Sequence, residues 1–315
     1  MTKPVVEVEH LVKRFRTGML RKEVTAVADA SFVVREGETF GLLGPNGAGK
    51  TTTMKVLVGL AFKTAGVLRV FGEDVPSRRA AARIGFLPET PYFYEYLKPL
   101  EFLDFYARLF GLEAAERHKR SKDLVERVGL SDAIDKPLRK FSKGMLQRIG
   151  LAQALINDPD LLILDEPMTG LDPIGRKEVR DLLMDLRRRG KTIVFSSHIL
   201  SDVEMLCDRV TILRRGRVIA DGTLEELLQP AARRVDIEAR GVPSDLRAKL
   251  APRALETHEH GETWAVTVEG QENARELIAA LASAGAEVVS VVPRRETLED
   301  LFVRLWGNAP VREKP

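Results

Sequence analysis

The chain has one cysteine, Cys207, in 315 residues. That excludes an intrachain disulfide and fits a buried thiol in a reducing compartment. It also lacks any uninterrupted apolar run of the length a membrane span needs. The longest candidate, Leu151–Leu164, is broken by Asn157, Asp158, Pro159 and Asp160, and the opening MTKPVVEVEH has no apolar signal core. A role at a membrane would therefore require another chain to cross it. An excess of one charge is missing too. The net charge of +3 is too slight to imply nucleic acid, and the arginine runs at 187–189, 233–234 and 294–295 are scattered, as solvated helix ends and linkers are. There is no internal repeat and no low-complexity tract. Aromatics are sparse at 6%, yet eight of them lie between Tyr92 and Phe110.

What is present reads as an ordinary globular chain, 44% hydrophobic and 30% charged, long enough for one large domain and a small one. Residues 5–12 and 24–35 read as strands around a polar loop at 16–23. ETFGLLG reads as a buried strand that feeds a glycine-rich loop and then the helical TTTMKVLVGL. LLILDE and KTIVFSS are further apolar strands, each preceded by a helical stretch, so the α/β class with a parallel sheet is expected. A break at Gln229-Pro230-Ala231 suggests a domain over 1–228, a linker at 229–234, a small α/β domain over 235–306 and a tail at 307–315. In the small domain, RVDIEAR, ETWAVTV and AEVVSVV read as three strands and NARELIAALASAG as a helix. A last helix is expected from Thr297, opened by the capping-box pattern Thr297-x-x-Asp300.

The segment from Gly44 to Thr51, GPNGAGKT, fits G-x-x-x-x-G-K-[ST] immediately after a strand and at the start of a helix. Its glycines let successive backbone N–H groups face phosphate oxygens, and the helix N-terminus favours the same charge. Gly44, Asn46, Gly47, Gly49, Lys50, Thr51 and Thr52 are thus candidate nucleotide ligands. Lys50 would reach the β- and γ-phosphates, and the Thr51 hydroxyl would ligate Mg²⁺. A chance glycine turn would not carry this strand–loop–helix context. The strand LLILDE ends in two carboxylates: Asp165 is suited to Mg²⁺ and Glu166 to general-base activation of a water. Alone such an ending is mostly structural; beside the loop it makes a nucleotide-hydrolysis site. His198, beyond the strand KTIVFSS, stands where a γ-phosphate contact would be. A lone histidine is more often a satisfied polar group, and His10, His118, His258 and His260 have no such setting.

These pieces make a P-loop ATPase, and FSKGM at Phe141–Met145 narrows the class. The order GPNGAGKT, FSKGM, LLILDE, Thr169-Gly-Leu-Asp172 and His198 resembles the ATP-binding cassette (ABC) family over about residues 5–222. FSKGM is similar to that family's LSGGQ signature, with Lys143 for the first Gly and Met145 for the Gln, while Ser142 and Gly144 are kept. The resemblance implies a mixed-sheet core with an antiparallel β part and a helical subdomain. It implies ATP and Mg²⁺ as ligands, and two domains paired head to tail around two ATPs. Ser142 and Gly144 would bind the γ-phosphate held by the partner's Lys50, and Asp172 would lie across the same interface. Phe15 matches the aromatic that stacks on adenine, beside the plainer reading of a core Phe. Where the family usually has Gln, touching Mg²⁺ and the attacking water, this chain has Glu89, which keeps oxygen ligands but adds charge.

The same resemblance accounts for the aromatics. The segment after Glu89 resembles the part that receives the coupling helix of a membrane subunit. Phe102, Phe105, Tyr106, Leu109 and Phe110 have helical spacing and are expected to be mostly core. Tyr92, Phe93, Tyr94 and Tyr96 precede Pro99 in a loop and are expected to form a docking groove for an amphipathic helix. The expected partners are separate polytopic membrane subunits docking near Glu89–Phe110 and a second copy of the chain or a homologous ATPase, with no nucleic acid. The expected location is the cytoplasmic face of the cell membrane. FLPE, FSKGM and the ending Glu296–Phe302 look most like exporters of the drug, antibiotic-resistance or sodium type. The alternatives are an ABC ATPase that works a membrane complex mechanically, or one that acts on ribosomes or DNA. The latter relatives carry long coiled coils or two ATPase domains, and this chain has neither. The small domain is expected to stabilise a dimer, with ligand sensing as the alternative.

Overall fold

The computed structural model describes residues 3–17, 22–228, 234–294 and 296–307. Most of the expected linker (229–233), Arg295 and the tail beyond 307 lie outside the described residues. The chain divides into two compact units, Met1–Leu224 and Glu225–Pro315. No helix among the described residues is long and apolar enough to cross a membrane.

The first unit begins with two long antiparallel strands, β1 (Pro4–Thr17) and β2 (Lys22–Arg35). They run further toward each other than the expected 5–12 and 24–35. β3 (Thr39–Leu43) leads to α1 (Lys50–Leu57), and β4 (Ala65–Val70) and β5 (Glu73–Asp74) extend the antiparallel part beside β1. A one-turn α2 (Arg78–Ala81) precedes β6 (Ile84–Leu87). Three helices that pack on one another follow: α3 (Pro99–Leu109), α4 (Ala114–Arg127) and α5 (Lys143–Ala154). The chain then alternates through β7 (Leu161–Asp165), α6 (Pro173–Arg188), β8 (Thr192–Ser196), α7 (Leu200–Leu206), β9 (Arg209–Arg214) and β10 (Arg217–Thr223), and reaches the one-turn α8 (Leu224–Leu227).

Ten strands form one mixed sheet in the order β5-β4-β1-β2-β10-β9-β3-β8-β7-β6. β3, β7 and β8 are buried at every residue and pair in parallel, as strands covered on both faces must be, and this explains their unbroken apolar sequences. The helical group is tied to the sheet where α5 crosses β6. A Cβ at Gly85 would lie 1.9 Å from the Ala154 carbonyl oxygen, so only glycine permits that approach.

The second unit is a four-stranded antiparallel sheet with helices. It comprises β11 (Arg234–Arg240), α9 (Ser244–Leu250), β12 (Glu256–His260), β13 (Thr263–Glu269), α10 (Gln271–Ser283), β14 (Glu287–Arg294) and α11 (Leu298–Gly307). The order is β12-β13-β11-β14, and α10 packs on β11, β13 and β14 around Trp264, Ile237 and Leu281. The capping box forms: Asp300 N donates to Thr297 Oγ1 (3.2 Å), and Thr297 N donates to Asp300 Oδ2 (3.0 Å). The sequence reading of three strands is one short. β12 reads ETHEH and is exposed at every residue, so it carries no apolar alternation to mark it.

Candidate functional site

The loop from the end of β3 to α1 has the shape its glycines allow. Gly44 has φ +142° and Gly49, the N-cap of α1, has φ +110°. A Cβ on either would strike a carbonyl, Leu213 O at 2.3 Å or Ala26 O at 2.7 Å. No side chain caps α1, which leaves its first N–H groups available to an anion. Lys50 is buried, and its Nζ donates back to Gly44 O (2.7 Å) and Pro45 O (3.3 Å), so its ammonium stands across the mouth of the loop. Asn46, Gly47, Thr51 and Thr52 belong to the same loop and first turn. These features fit the phosphates of a nucleotide.

The two carboxylates at the end of β7 are organised by the neighbouring strand. Asp165 pairs in register with Ser196 of β8. The Ser196 hydroxyl donates to Asp165 Oδ1 (2.6 Å) and accepts from Glu166 N (3.0 Å). Asp165 Oδ2 is buried and has no hydrogen-bond partner among the described residues. An orphaned carboxylate oxygen there fits a divalent cation, with Thr51 at the start of the helix that packs on β7 as a further ligand. Glu166 takes φ 53°, in the left-handed region. Its carboxylate accepts at Oε2 from Thr169 Oγ1 (3.1 Å) and contacts His198 Nδ1 (2.7 Å). Gln147 Nε2 donates to its carbonyl (3.3 Å). The fold thus brings together Asp165, Glu166 and His198, which lie 32 residues apart at the extremes of that contact.

Ser142 and Asp172 are both helix N-caps. Ser142 Oγ accepts from Met145 N (3.3 Å) at α5, and Asp172 Oδ1 accepts from Gly175 N (2.8 Å) at α6. Their turns abut. A Cβ at Gly144 would meet Leu171 at 3.3 Å, and one at Gly170 would meet the Lys143 stem at 2.8 Å. Lys143, in place of the signature's first glycine, therefore lies along Gly170. Among the described residues no hydrogen bond joins Ser142 or Gly144 to the Gly44–Thr51 loop.

Phe15 is not in the core; it is 38% exposed, with Lys13 Nζ 4.5 Å from its ring centroid. Glu89 is exposed at the rim of a cleft of about 450 Å³. Tyr92, Phe93, Arg139, Lys143 and Thr169 share that cleft, which therefore runs from the aromatic loop to the residue that bonds Glu166. Tyr92 and Tyr96 are 86% and 80% exposed. The helical aromatic stripe is only partly core. Phe102 is buried against Phe93, but Leu109, Phe110 and Phe105 are exposed, because α3 turns Pro99, Leu103 and Ala107 inward instead.

Sequence reasoning assigned no role to Ser196, Gln147 or the hydroxyl of Thr169. A signal existed for Ser196, a polar residue closing an apolar strand, but its target is defined only by the β7–β8 register.

The ABC transporter family model matches residues 27–169. The chain is 43% identical over 303 residues to an uncharacterized ABC transporter ATP-binding protein of Synechocystis sp., which covers 95% of this chain and 84% of that protein. It is 38% identical to the Nod factor export ATP-binding protein I of Ralstonia nicotianae, covering 97% and 94%. A solved ATP-binding subunit of an ABC transporter superposes with a TM-score of 0.63 at 33% identity, covering 71% of this chain and 91% of that one.

Proposed function

The chain belongs to the ABC transporter ATP-binding subunits, and from that membership and its site we propose how it works: two such domains close head to tail on ATP and drive separate membrane subunits in export. It is an ATPase that binds ATP. In the proposed cycle, the Gly44–Thr51 loop and Lys50 hold the phosphates, Phe15 stacks on the adenine, and Ser142, Gly144 and Asp172 of the second copy complete the site. Thr51, Asp165 Oδ2 and Glu89 would hold Mg²⁺, which neutralises charge on the β- and γ-phosphate oxygens.

Glu166 has both of its carboxylate contacts at Oε2, which leaves Oε1 to take the proton of an attacking water. With Glu166 ionised, His198 Nδ1 is the donor in that contact, and Nε2 would have to carry a proton as well to donate to a γ-phosphate oxygen. The observation that carries the catalytic reading is this Glu166–His198 pair beside an orphaned Asp165 oxygen. The cleft from Tyr92 to Thr169 supports coupling, since a helix seated on the aromatics would press on the neighbours of Glu166. Export rests on the likeness to the Nod factor export protein and on the sequence features described above.

Capture from detergent-solubilised native membranes tests the transport reading, using Glu166→Gln protein with ATP and Mg²⁺. A polytopic membrane protein in stoichiometric amount is the expected result. Ribosomal proteins or DNA-bound complexes in its place would overturn it.

A further inference from the structure

Asp202 in α7 bears a charge with no exposure to solvent: its side chain is 0% exposed. Each of its oxygens has its own guanidinium. Arg176 Nη2 donates to Oδ2 at 2.8 Å, and Arg180 Nη1 donates to Oδ1 at 3.1 Å. The two arginines are one turn apart on α6 and so share a face. Apolar residues of both helices, Val179, Leu183, Val203 and Leu206, are buried as well. Apolar contact alone would hold the helices together but would let them slide. A buried carboxylate with two charged donors admits one register.

What this tie joins is more telling than its burial. At the α6 end, Arg176 N donates to Asp172 O (2.9 Å), in the turn that Asp172 caps. At the α7 end, Asp202 N donates to Ile199 O (3.2 Å), and Ile199 N donates to Ser197 Oγ (3.0 Å), a tight turn with His198 in its middle. His198 contacts Glu166, and Glu166 accepts from Thr169, three residues before Asp172. The contacts close a ring from Glu166 through Thr169, Asp172, α6, Asp202 and His198 back to Glu166. In the Asp202 bridge a fully buried carboxylate meets two guanidiniums that are themselves only partly exposed.

We propose that Asp202 is a positioning residue for hydrolysis: held by Arg176 and Arg180, it fixes His198 relative to Glu166 and to Asp172. It touches neither nucleotide nor water, and it acts through the placement of the imidazole. The proposal rests on His198 serving at the γ-phosphate.

The test is a double-mutant cycle on the full chain, with steady-state ATPase and thermal unfolding measured for each variant. Asp202→Asn keeps the shape and removes the charge. Its expected effect is a loss of about tenfold in kcat with the KM for ATP nearly unchanged, the cost of a misplaced catalytic group. In a His198→Ala background the same substitution is expected to cost nothing further, whereas a merely structural residue would cost the same in both. Arg180→Lys, which keeps the charge but gives up the fork, is a milder variant expected to show a smaller loss of the same kind. Full turnover in Asp202→Asn, or an additive loss in the double variant, overturns the positioning role and leaves His198 as assigned. An unchanged kcat in His198→Ala alone overturns the assignment of His198 and the inference with it.

Discussion

Glu166 has a backbone conformation that a residue with a side chain adopts at a cost of roughly 1–3 kcal/mol, and it is held there from three sides. Ser196 takes its N–H, Gln147 its carbonyl, and Thr169 with His198 its carboxylate. Glu166→Gln keeps this geometry but removes the proposed base. Nucleotide binding should be retained while turnover falls by at least about 10²-fold, as equilibrium binding and steady-state ATPase would read. Ser196→Ala should unhinge the site differently, because it orphans a buried N–H and a buried carboxylate oxygen at once. A loss of about 1–3 kcal/mol in unfolding free energy is expected, together with lower turnover. Cys207 lies outside the site. Burial foremost, with the nearby Asp208 carboxylate adding to it, pushes its thiol well above the usual cysteine range. The thiolate is the reactive form, so the native chain should resist alkylation at neutral pH and take up one label only when unfolded, as mass spectrometry would show.

At α5 a single side chain has two duties. Ser142 caps the helix, and in the proposed dimer it meets a γ-phosphate across the interface. Ser142→Asp separates them: aspartate caps as well as serine, so thermal stability should hold. A carboxylate aimed at a phosphate should nonetheless suppress ATP-dependent pairing and turnover. Elements of this kind were legible in the sequence because their signals are local. The phosphate loop, the capped start at Thr297, and the unbroken apolar strands ending at Leu43 and Asp165 each announce themselves within a few residues. β12 was not legible, since an exposed edge strand of Glu, Thr and His has no apolar face. The α3 stripe misled because two periodic sets of apolar residues compete along that helix, and the core took the smaller ones, Leu103 and Ala107, with Phe102. Asp202 carries no local signal; its burial depends on arginines that another helix brings to it.

In the whole chain the phosphate loop and the Ser142–Asp172 turns are separate groups, with no hydrogen bond between them among the described residues. In the proposed head-to-tail pair, a second copy supplies the Ser142–Asp172 turns to the loop of the first. Mixed dimers of Lys50→Ala and Ser142→Ala chains should therefore keep one intact composite site and one doubly broken one. Hydrolysis as though each chain were self-sufficient would speak against the arrangement. The most direct measurement is the sedimentation of Glu166→Gln protein with and without ATP, since binding without turnover should trap the closed pair. The expected result is a monomer without nucleotide and a dimer with ATP, abolished by adding Ser142→Asp. A protein that binds ATP yet sediments as a monomer at every concentration would contradict the head-to-tail account.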